Sequence, residues 1–318
     1  MARRVRKETV NTLFNYIIFP GFLFTSIAGL ALNWIDRKLT ARIQWRVGPP
    51  WYQPLADVLK LFGKEITIPK EGKDTIFLMA PFFSLGAIVF ASTLLLLPNF
   101  FGSSGFAGDL IVILYLLMIP GISTILGGAS SANPLASLGA SREIKLMISY
   151  ELPLVLAIFT PVIKTKGIIA IDSILKYQLT NGIMIKNPSC IIAFLVAIIC
   201  IQAKLGSVPF DQSEAETEIM AGAYIEYSGL PLAIFKLSKM MLTFIAPILL
   251  ITVFLNGFRF DNLLATITSL IKYLILFFIY ILIKLTNPRL RIDQTVKFFW
   301  SYVTVFALIG VVLALLGV

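Results

Sequence analysis

The chain has no histidine and only two cysteines, and both scarcities restrict its chemistry. Histidine is the usual proton carrier near neutral pH and the commonest metal ligand. Cys190 and Cys200 lie ten positions apart in one apolar stretch, so no CxxC motif exists for zinc or an iron–sulfur cluster. We therefore expect this chain to hold no zinc or iron–sulfur centre of its own.

Charge is scarce as well. Of 318 residues, 58% are hydrophobic and only 14% are charged, and the mean hydropathy is +0.88. A soluble domain of this length carries more surface charge, and several apolar stretches exceed the roughly 18 residues that cross a bilayer. The sequence predicts an all-α polytopic membrane protein that forms one domain over residues 1–318. The net charge of +10 reflects cations crowded into loops on one side, so we expect no nucleic-acid partner.

Eight apolar stretches are predicted to span the membrane, and the first is long enough to be retained rather than cleaved. They cover residues 9–33, 75–97, 109–129, 143–163, 188–202, 229–255, 263–285 and 294–316. The fifth is the shortest and is expected to extend through Leu205. Lysine and arginine number fifteen on the side of the odd-numbered connections and nine on the other. The positive-inside rule therefore predicts a plasma-membrane protein with both termini outside, although the N-terminus is itself basic.

Five acids cluster in the connection 206–228, between the fifth and sixth predicted spans, although the whole chain has only 17 acids. They are Asp211, Glu214, Glu216, Glu218 and Glu226. Five carboxylates beside a membrane span indicate a site that binds or transfers charge.

Charged residues also occur inside the predicted spans. Glu143 and Glu151 are about 12 Å apart along a helix and share a broad face, with Pro153 expected to kink it. Glu143 is either part of an ion path or merely interfacial. Lys236 and Lys239 lie on one side of the sixth span, and we expect their partners to be Glu151 and the acids of the connection. Lys272, in the seventh span, is expected to pair similarly or to bind a carbonyl oxygen.

The first connection, residues 34–74, combines a basic turn with an amphipathic segment. Leu55, Val58, Leu59 and Phe62 recur at helical spacing, which predicts a surface helix on the membrane or between helix ends. Four cations surround the preceding turn at 46–50: Arg37, Lys38, Arg42 and Arg46. This basic region is either a solvated loop or a docking surface for a partner subunit or an anionic headgroup.

Two further segments have a structural interpretation. Glycines and serines from Pro120 to Gly139 predict either close helix packing or irregular backbone that lines a cavity. An apolar repeat within residues 164–187 predicts a short helix on the outer face.

Three motifs carry a resemblance over the whole chain. RVGPPWYQPLADVLKLFGKEITIP (46–69), SYELP (149–153) and PFDQSEAETEIMAGAYIEYSG (209–229) resemble the NuoH, or NADH dehydrogenase subunit 1, family of respiratory complex I. The resemblance implies a membrane subunit that has no redox centre, binds no cofactor or metal of its own and contains no catalytic residue. Such a subunit anchors the peripheral arm, forms most of the quinone chamber and begins a row of acids that leads to antiporter-like subunits.

Carried over by motif, the acids of the connection form an acidic funnel and Glu151 is the first intramembrane acid. Glu143, Lys236 and Lys239 complete the predicted ion path. Arg46, Gln53 and Asp57 belong by the same motif to the chamber and docking surface, and Arg37 and Arg42 join them through the basic cluster.

The chain departs from the respiratory pattern at three places. Only Pro50, Trp51 and Tyr52 separate the turn from the surface helix, Ser207 replaces a usual arginine, and Lys239 replaces a frequent acid. This shortened form is similar to the corresponding subunit of archaeal membrane-bound hydrogenases and sulfane-sulfur reductases, which do not use quinone. Such a relationship implies peripheral partners with iron–sulfur clusters, a hydrogenase-large-like subunit with a nickel–iron site in the hydrogenase branch, and antiporter-like membrane subunits.

The main hypothesis is a membrane anchor and coupling subunit of an energy-converting oxidoreductase of the hydrogenase or sulfane-reductase type, which drives proton or sodium translocation. One alternative is the quinone-chamber subunit of an NADH- or ferredoxin:quinone oxidoreductase. Another is a stand-alone cation/proton antiporter.

Overall fold

A computed structural model describes residues 13–70, 72–102, 105–260 and 262–317, except for the side chains of residues 216 and 217. Within these ranges every regular element is helical. The helices are α1 (Phe22–Ile43), α2 (Gln53–Phe62), α3 (Asp74–Phe101), α4 (Asp109–Leu116), α5 (Ile119–Ser130), α6 (Pro134–Lys164), α7 (Ile171–Asn181), α8 (Pro188–Lys204), α9 (Glu216–Ile219), α10 (Gly229–Phe254), α11 (Leu263–Thr286), α12 (Ile292–Phe298) and α13 (Thr304–Leu315). A π-helical turn, Phe299–Val303, joins α12 to α13.

The helices confirm the predicted polytopic architecture. Seven helical stretches in the described part of the chain are long and apolar enough to cross a membrane, and α8 is a shorter apolar helix of 17 residues. The pair α4 and α5 forms one of these stretches, as do α12 and α13 together. Residues 9–12 of the first predicted span lie outside the described residues.

The fourth span begins earlier than predicted. Helix α6 starts at Pro134, where the Asn133 side chain accepts a hydrogen bond from the Leu135 amide at 2.8 Å. An asparagine cap followed by proline is a strong helix start. Glu143 therefore lies about two and a half turns inside the helix, and its side chain is buried within the protein.

Helix α10 is the centre of the bundle. It contacts α1, α2, α3, α8 and α11, and its second half is enclosed on all sides, with Ile245, Ile251 and Phe254 fully buried. An apolar helix that is buried all round belongs in the core of a large bundle. The acidic connection leads directly into the first residue of this helix, so its charged side chains lie next to the core.

The small residues between Pro120 and Gly139 pack closely against the acidic connection. A Cβ atom on Gly139 would lie 2.5 Å from the Ala223 amide nitrogen, and one on Gly127 would overlap the Tyr227 hydroxyl oxygen. Close packing is therefore the interpretation that the structure supports.

Helix α2 forms where the amphipathic pattern predicts a surface helix. Val58 and Leu61 are buried against Ala233 and Met240 of α10. Leu55, Leu59 and Phe62 are exposed on another side of the helix. Helix α2 is therefore tucked against α10 and presents its remaining apolar side chains outward.

A predicted helix in the fourth connection is also found. Helix α7 buries Ile171 and Ile174 against the bundle, at the end of the molecule opposite the acidic connection.

Candidate charged chamber and ion path

A cavity of about 640 Å³ opens between the acidic connection and helices α1, α2, α10 and α11. Charged side chains from all of these elements line it. They are Asp36, Arg37, Asp57, Asp211, Glu214, Lys236, Lys239, Lys284 and Arg289. We call this cavity the charged chamber.

Ion pairs hold the walls of the charged chamber. Arg289 donates to both carboxylate oxygens of Asp211, at 2.8 and 2.5 Å, and Lys284 donates to Asp36 at 2.7 Å. Bidentate arginine–carboxylate pairs are geometrically specific and strong. These two pairs attach the acidic connection and α1 to the C-terminal end of α11.

A third ion pair in the chamber wall joins α1 to the surface helix α2. Arg37 donates to Asp57 at 2.8 Å, and the Gln53 amide donates to the other oxygen of Asp57 at 2.9 Å. Burial tends to raise the pKa of Asp57, but the two hydrogen bonds and the charges of Arg37 and Lys236 outweigh it and lower the pKa below its ordinary value. Asp57 is therefore held as a carboxylate.

The structure thus brings together three of the five predicted docking and chamber residues. Arg37, Gln53 and Asp57 form one cluster, whereas Arg42, in the last turn of α1, and Arg46, in the turn that follows, are exposed outside the chamber. Trp45, between them, is 98% exposed. The basic turn therefore projects as a separate surface.

Glu214 and Lys239 stand at the inner end of the chamber. The Lys239 ammonium donates to both oxygens of Glu214, at 2.6 and 2.7 Å. This agrees with the expectation that Lys239 pairs with an acid of the connection. Lys236, one turn earlier, is exposed in the chamber wall.

Behind this pair lies a smaller cavity of about 40 Å³, which is large enough for ordered water. Glu143, Lys204 and Tyr224 line it together with Glu214 and Lys239. The Glu214–Lys239 pair is therefore shared by both cavities. We call the smaller cavity the inner cavity.

Glu143 connects the acidic stretch to the membrane interior. Its side chain is buried, and it lies beside Ser213 of the acidic connection. Ser213 immediately precedes Glu214 in the acidic connection. A buried carboxylate in a membrane span is costly and is generally associated with function.

Glu151 pairs with a residue that the predicted site did not include. Lys204, at the end of α8, donates to Glu151 Oε2 at 3.1 Å, and the two side chains are only 3% and 14% exposed. Lys204 also lies 5.3 Å from the centre of the Tyr150 ring. The prediction that Lys236 or Lys239 would pair with Glu151 was therefore wrong. The missed signal was a lysine in the last turn of the shortest apolar span.

The second oxygen of Glu151 is also informative. Glu151 Oε1 is buried and has no hydrogen-bond partner in the described part of the chain. Buried polar atoms are almost always partnered by protein or by ordered water. This atom is therefore positioned to accept a proton or a water hydrogen.

The remaining acids of the connection lie at its surface. Glu218 is exposed and accepts a 2.5 Å bond from Arg142, and Glu226 accepts one of the same length from Asn133. The predicted Glu216 lies in α9, but its side chain is outside the described residues. The structure thus separates Asp211 and Glu214, which line the chamber, from Glu218 and Glu226, which attach the connection to α6 and its cap.

Two tyrosines hold the acidic connection against the bundle. Tyr227 stacks on Phe77 at 4.0 Å between ring centres and donates to the Phe77 carbonyl oxygen at 2.9 Å. Tyr224 shares a 2.9 Å hydrogen bond with Thr124. Burial raises the pKa of both phenols above their ordinary value. They are therefore neutral hydrogen-bonding groups.

Lys272 binds a backbone carbonyl, which was one of its two expected partners. Its ammonium donates to the Leu255 oxygen at 2.7 Å. It is thereby tied to the end of α10 opposite the charged chamber.

Comparison with known proteins identifies the family of this chain. The NADH dehydrogenase family model matches residues 15–315. The chain belongs to the NADH dehydrogenase family. An NADH-quinone oxidoreductase subunit of Dehalococcoides mccartyi is 33% identical over 315 residues, covering 96% of this chain and 86% of that protein. The corresponding subunit of a Geobacillus species is 34% identical over 318 residues, covering 93% of both.

A solved structure of the membrane-bound sulfane sulfur reductase, an archaeal respiratory membrane complex, contains a similar chain. That chain matches with a TM-score of 0.83 and 31% identity, covering 92% of this protein and 96% of that chain. The NuoH resemblance predicted from three motifs is thus confirmed. The protein is a multi-pass membrane subunit of a complex I-related oxidoreductase.

Proposed function

We propose that this subunit anchors a peripheral redox module and couples its reaction to ion translocation. One observation carries the proposal: the charged chamber leads through Glu214 and Lys239 to the inner cavity, and from there to Glu143 and the Lys204–Glu151 pair. A change of charge in the chamber would alter the electrostatic potential at these buried acids, because each charged group in the series lies next to the following one. The redox reaction itself belongs to partner subunits.

The docking role rests on the first connection. The exposed turn with Arg42, Trp45 and Arg46 lies outside the chamber, and the Arg37–Gln53–Asp57 cluster lies at its wall. Exposed aromatic residues and arginine are enriched where proteins meet. We assign the turn to contact with an iron–sulfur-bearing peripheral subunit. We assign a side of the helix bundle away from this turn to contact with antiporter-like membrane subunits.

The character of the chamber favours the hydrogenase or sulfane-reductase branch. Small-molecule sites that hold an apolar ligand are lined mainly by hydrophobic side chains, whereas here four ion pairs line the walls. Ser207 directs its hydroxyl to the Tyr280 hydroxyl at the chamber wall, where an arginine is usual in respiratory members. The structural neighbour in an archaeal sulfane sulfur reductase complex supports the same branch.

A quinone-linked role is the second candidate, because two of the similar proteins are NADH-quinone oxidoreductase subunits. Purified complex assayed with a soluble quinone distinguishes the two. We expect no quinone reduction and no quinone in lipid extracts of the complex. Quinone-dependent turnover would overturn our preference.

The coupling path is tested with isosteric variants in the assembled complex. Glu143→Gln and Glu214→Gln are expected to lower redox-driven ion uptake into vesicles at least tenfold, because each removes a carboxylate that lines the inner cavity. Glu218→Gln is the matched control, since that exposed acid belongs to the same connection but lies outside both cavities. Normal assembly with full ion uptake in both variants would contradict the proposal.

A further inference from the structure

One cation of the charged chamber has no carboxylate of its own. Each acid that lines the chamber is paired with a different cation: Asp36 with Lys284, Asp57 with Arg37, Asp211 with Arg289 and Glu214 with Lys239. Lys236 is the remaining cation of the wall. It is exposed, and it forms no ion pair or hydrogen bond with any described residue.

The acid within electrostatic range of Lys236 is already engaged. Asp57 feels the charge of Lys236, but its two oxygens accept from Arg37 at 2.8 Å and from Gln53 at 2.9 Å. The described side chains of the chamber wall therefore carry an excess of positive charge, and Lys236 is its source. Such a surface attracts anions and repels cations, and a lysine ammonium has three donors to offer an incoming anion.

A second cavity, of about 320 Å³, adjoins the charged chamber at this lysine. Glu214, Lys236 and Lys239 line both cavities. The other residues of the second cavity are apolar or aromatic: Ala221, Tyr224, Ile225, Tyr227, Leu232 and Phe235. We call this cavity the aromatic pocket.

The aromatic rings of this pocket are fixed before any ligand arrives. The centre of the Phe235 ring lies 5.1 Å from that of Tyr224 and 5.0 Å from that of Tyr227. The Tyr224 hydroxyl is hydrogen-bonded to Thr124, and the Tyr227 hydroxyl donates to the Phe77 carbonyl oxygen. The pocket therefore offers ring surface to an apolar body, and its rigidity lowers the cost of binding.

The two features together define the chemistry of a ligand. Ligand sites typically combine a mainly apolar lining with a small number of polar groups that fix orientation. Here the lining is the aromatic pocket, and the group without a partner is the Lys236 ammonium. A cation is disfavoured by the excess positive charge, and a neutral apolar molecule leaves Lys236 unused. An anion that carries an apolar chain satisfies both.

We propose that the aromatic pocket binds a free monocarboxylate with an apolar chain. The carboxylate pairs with Lys236, where the same residues line both cavities, and the chain packs against the rings of Tyr224, Tyr227 and Phe235. This site is independent of the coupling role, because it requires neither a titrating acid nor the movement of an ion.

The test titrates the purified complex in lipid nanodiscs with octanoate, octanol and octylamine, which share one chain and differ in the charge at its end. Isothermal titration calorimetry measures saturable binding against empty nanodiscs. We expect saturable binding of octanoate and binding of octylamine that is weaker by roughly fivefold or more, since one favours the Lys236 charge and the other opposes it. No saturable octanoate binding, or equal affinity for octanoate and octylamine, would overturn the proposal.

Substitutions at Lys236 separate recognition of the anion from apolar binding. Lys236→Gln should weaken octanoate binding by roughly fivefold and leave octanol binding unchanged, whereas Lys236→Arg keeps the charge and should retain octanoate binding. Lys60→Gln is the matched control, since this lysine of α2 is exposed and lies outside both cavities. Because Lys236 is exposed, its replacement is not expected to affect folding. Octanoate binding that is unchanged in Lys236→Gln, or lost equally with octanol binding, would show that no anion is recognised at this lysine.

Discussion

At the scale of single residues, the Lys204–Glu151 pair is the feature whose burial needs the most explanation. Both side chains are removed from water, at 3% and 14% exposure, and one carboxylate oxygen lacks a partner in the described part of the chain. A buried pair is often no more stable than an apolar replacement of the same size. The pair beside the inner cavity is therefore not explained by stability alone.

This leads to a thermodynamic cycle. Lys204→Met leaves Glu151 as an unpaired buried charge and is expected to cost about 3–5 kcal/mol. The double variant Lys204→Met/Glu151→Met removes both charges and should recover most of that loss. Thermal unfolding of the purified complex measures both effects, and Lys145→Met, an exposed lysine of α6, serves as the neutral control.

The same double variant separates stability from coupling. We expect it to assemble but to lose redox-driven ion uptake, because the charges that respond to the chamber are gone. A double variant as unstable as Lys204→Met alone would show that the pair is needed for folding instead.

At the scale of elements, the packing of α5 and α6 positions the acidic connection. Gly139 allows the backbone of residues 222 and 223 to approach α6, and Gly127 allows the Tyr227 ring to approach α5, each within a distance that a Cβ would not permit. Tyr224 and Tyr227 then secure the connection to α5 and α3. The glycines thus determine how near Ser213 and Glu214 come to Glu143.

We predict opposite effects of two glycine substitutions. Gly139→Ala forces a Cβ to within 2.5 Å of backbone and should destabilise the protein by about 1–3 kcal/mol through overpacking. Gly86→Ala, within α3, has no atom within 4 Å of the new Cβ and should be neutral or stabilise the helix by about 0.5–1 kcal/mol. The comparison uses the unfolding temperature of the complex, and equal shifts for the two variants would contradict the packing argument.

Sequence patterns predicted the elements better than their contacts. Hydropathy is a local property, so the membrane spans and the surface helix could be found from it. The side of α2 that packs against α10, with Val58 and Leu61, depends on where α10 lies and could not be read from the spacing of its apolar residues. Lys204 and Glu151 are 53 residues apart along the chain. Nothing local connects them, whereas the Lys239–Glu214 pair followed from the connection leading directly into α10.

At the scale of the whole molecule, the charges form a path that enters the bundle from one side and stops. Beyond Glu151, α6 presents Leu154, Ala157 and Ile158 to the core, and each of these side chains is at most 1% exposed. The polar Thr160 in the same region donates to its own helix backbone. A charge in such an apolar core has a cost of several kcal/mol. Among the described residues of α6, the acidic side chains therefore end at Glu151, and under the proposed function neighbouring subunits would continue the path.

This arrangement argues against a stand-alone antiporter and yields the last prediction. The chain reconstituted alone in vesicles should move neither protons nor sodium above the leak of empty vesicles, measured with a pH-sensitive dye and with radioactive sodium under an imposed gradient. The assembled complex in the same lipids, supplied with its reductant, should acidify or load the vesicles, and Glu214→Gln in that complex should abolish the signal. Gradient-driven transport by the isolated chain, abolished by Glu151→Gln, would instead establish an autonomous ion path through these helices.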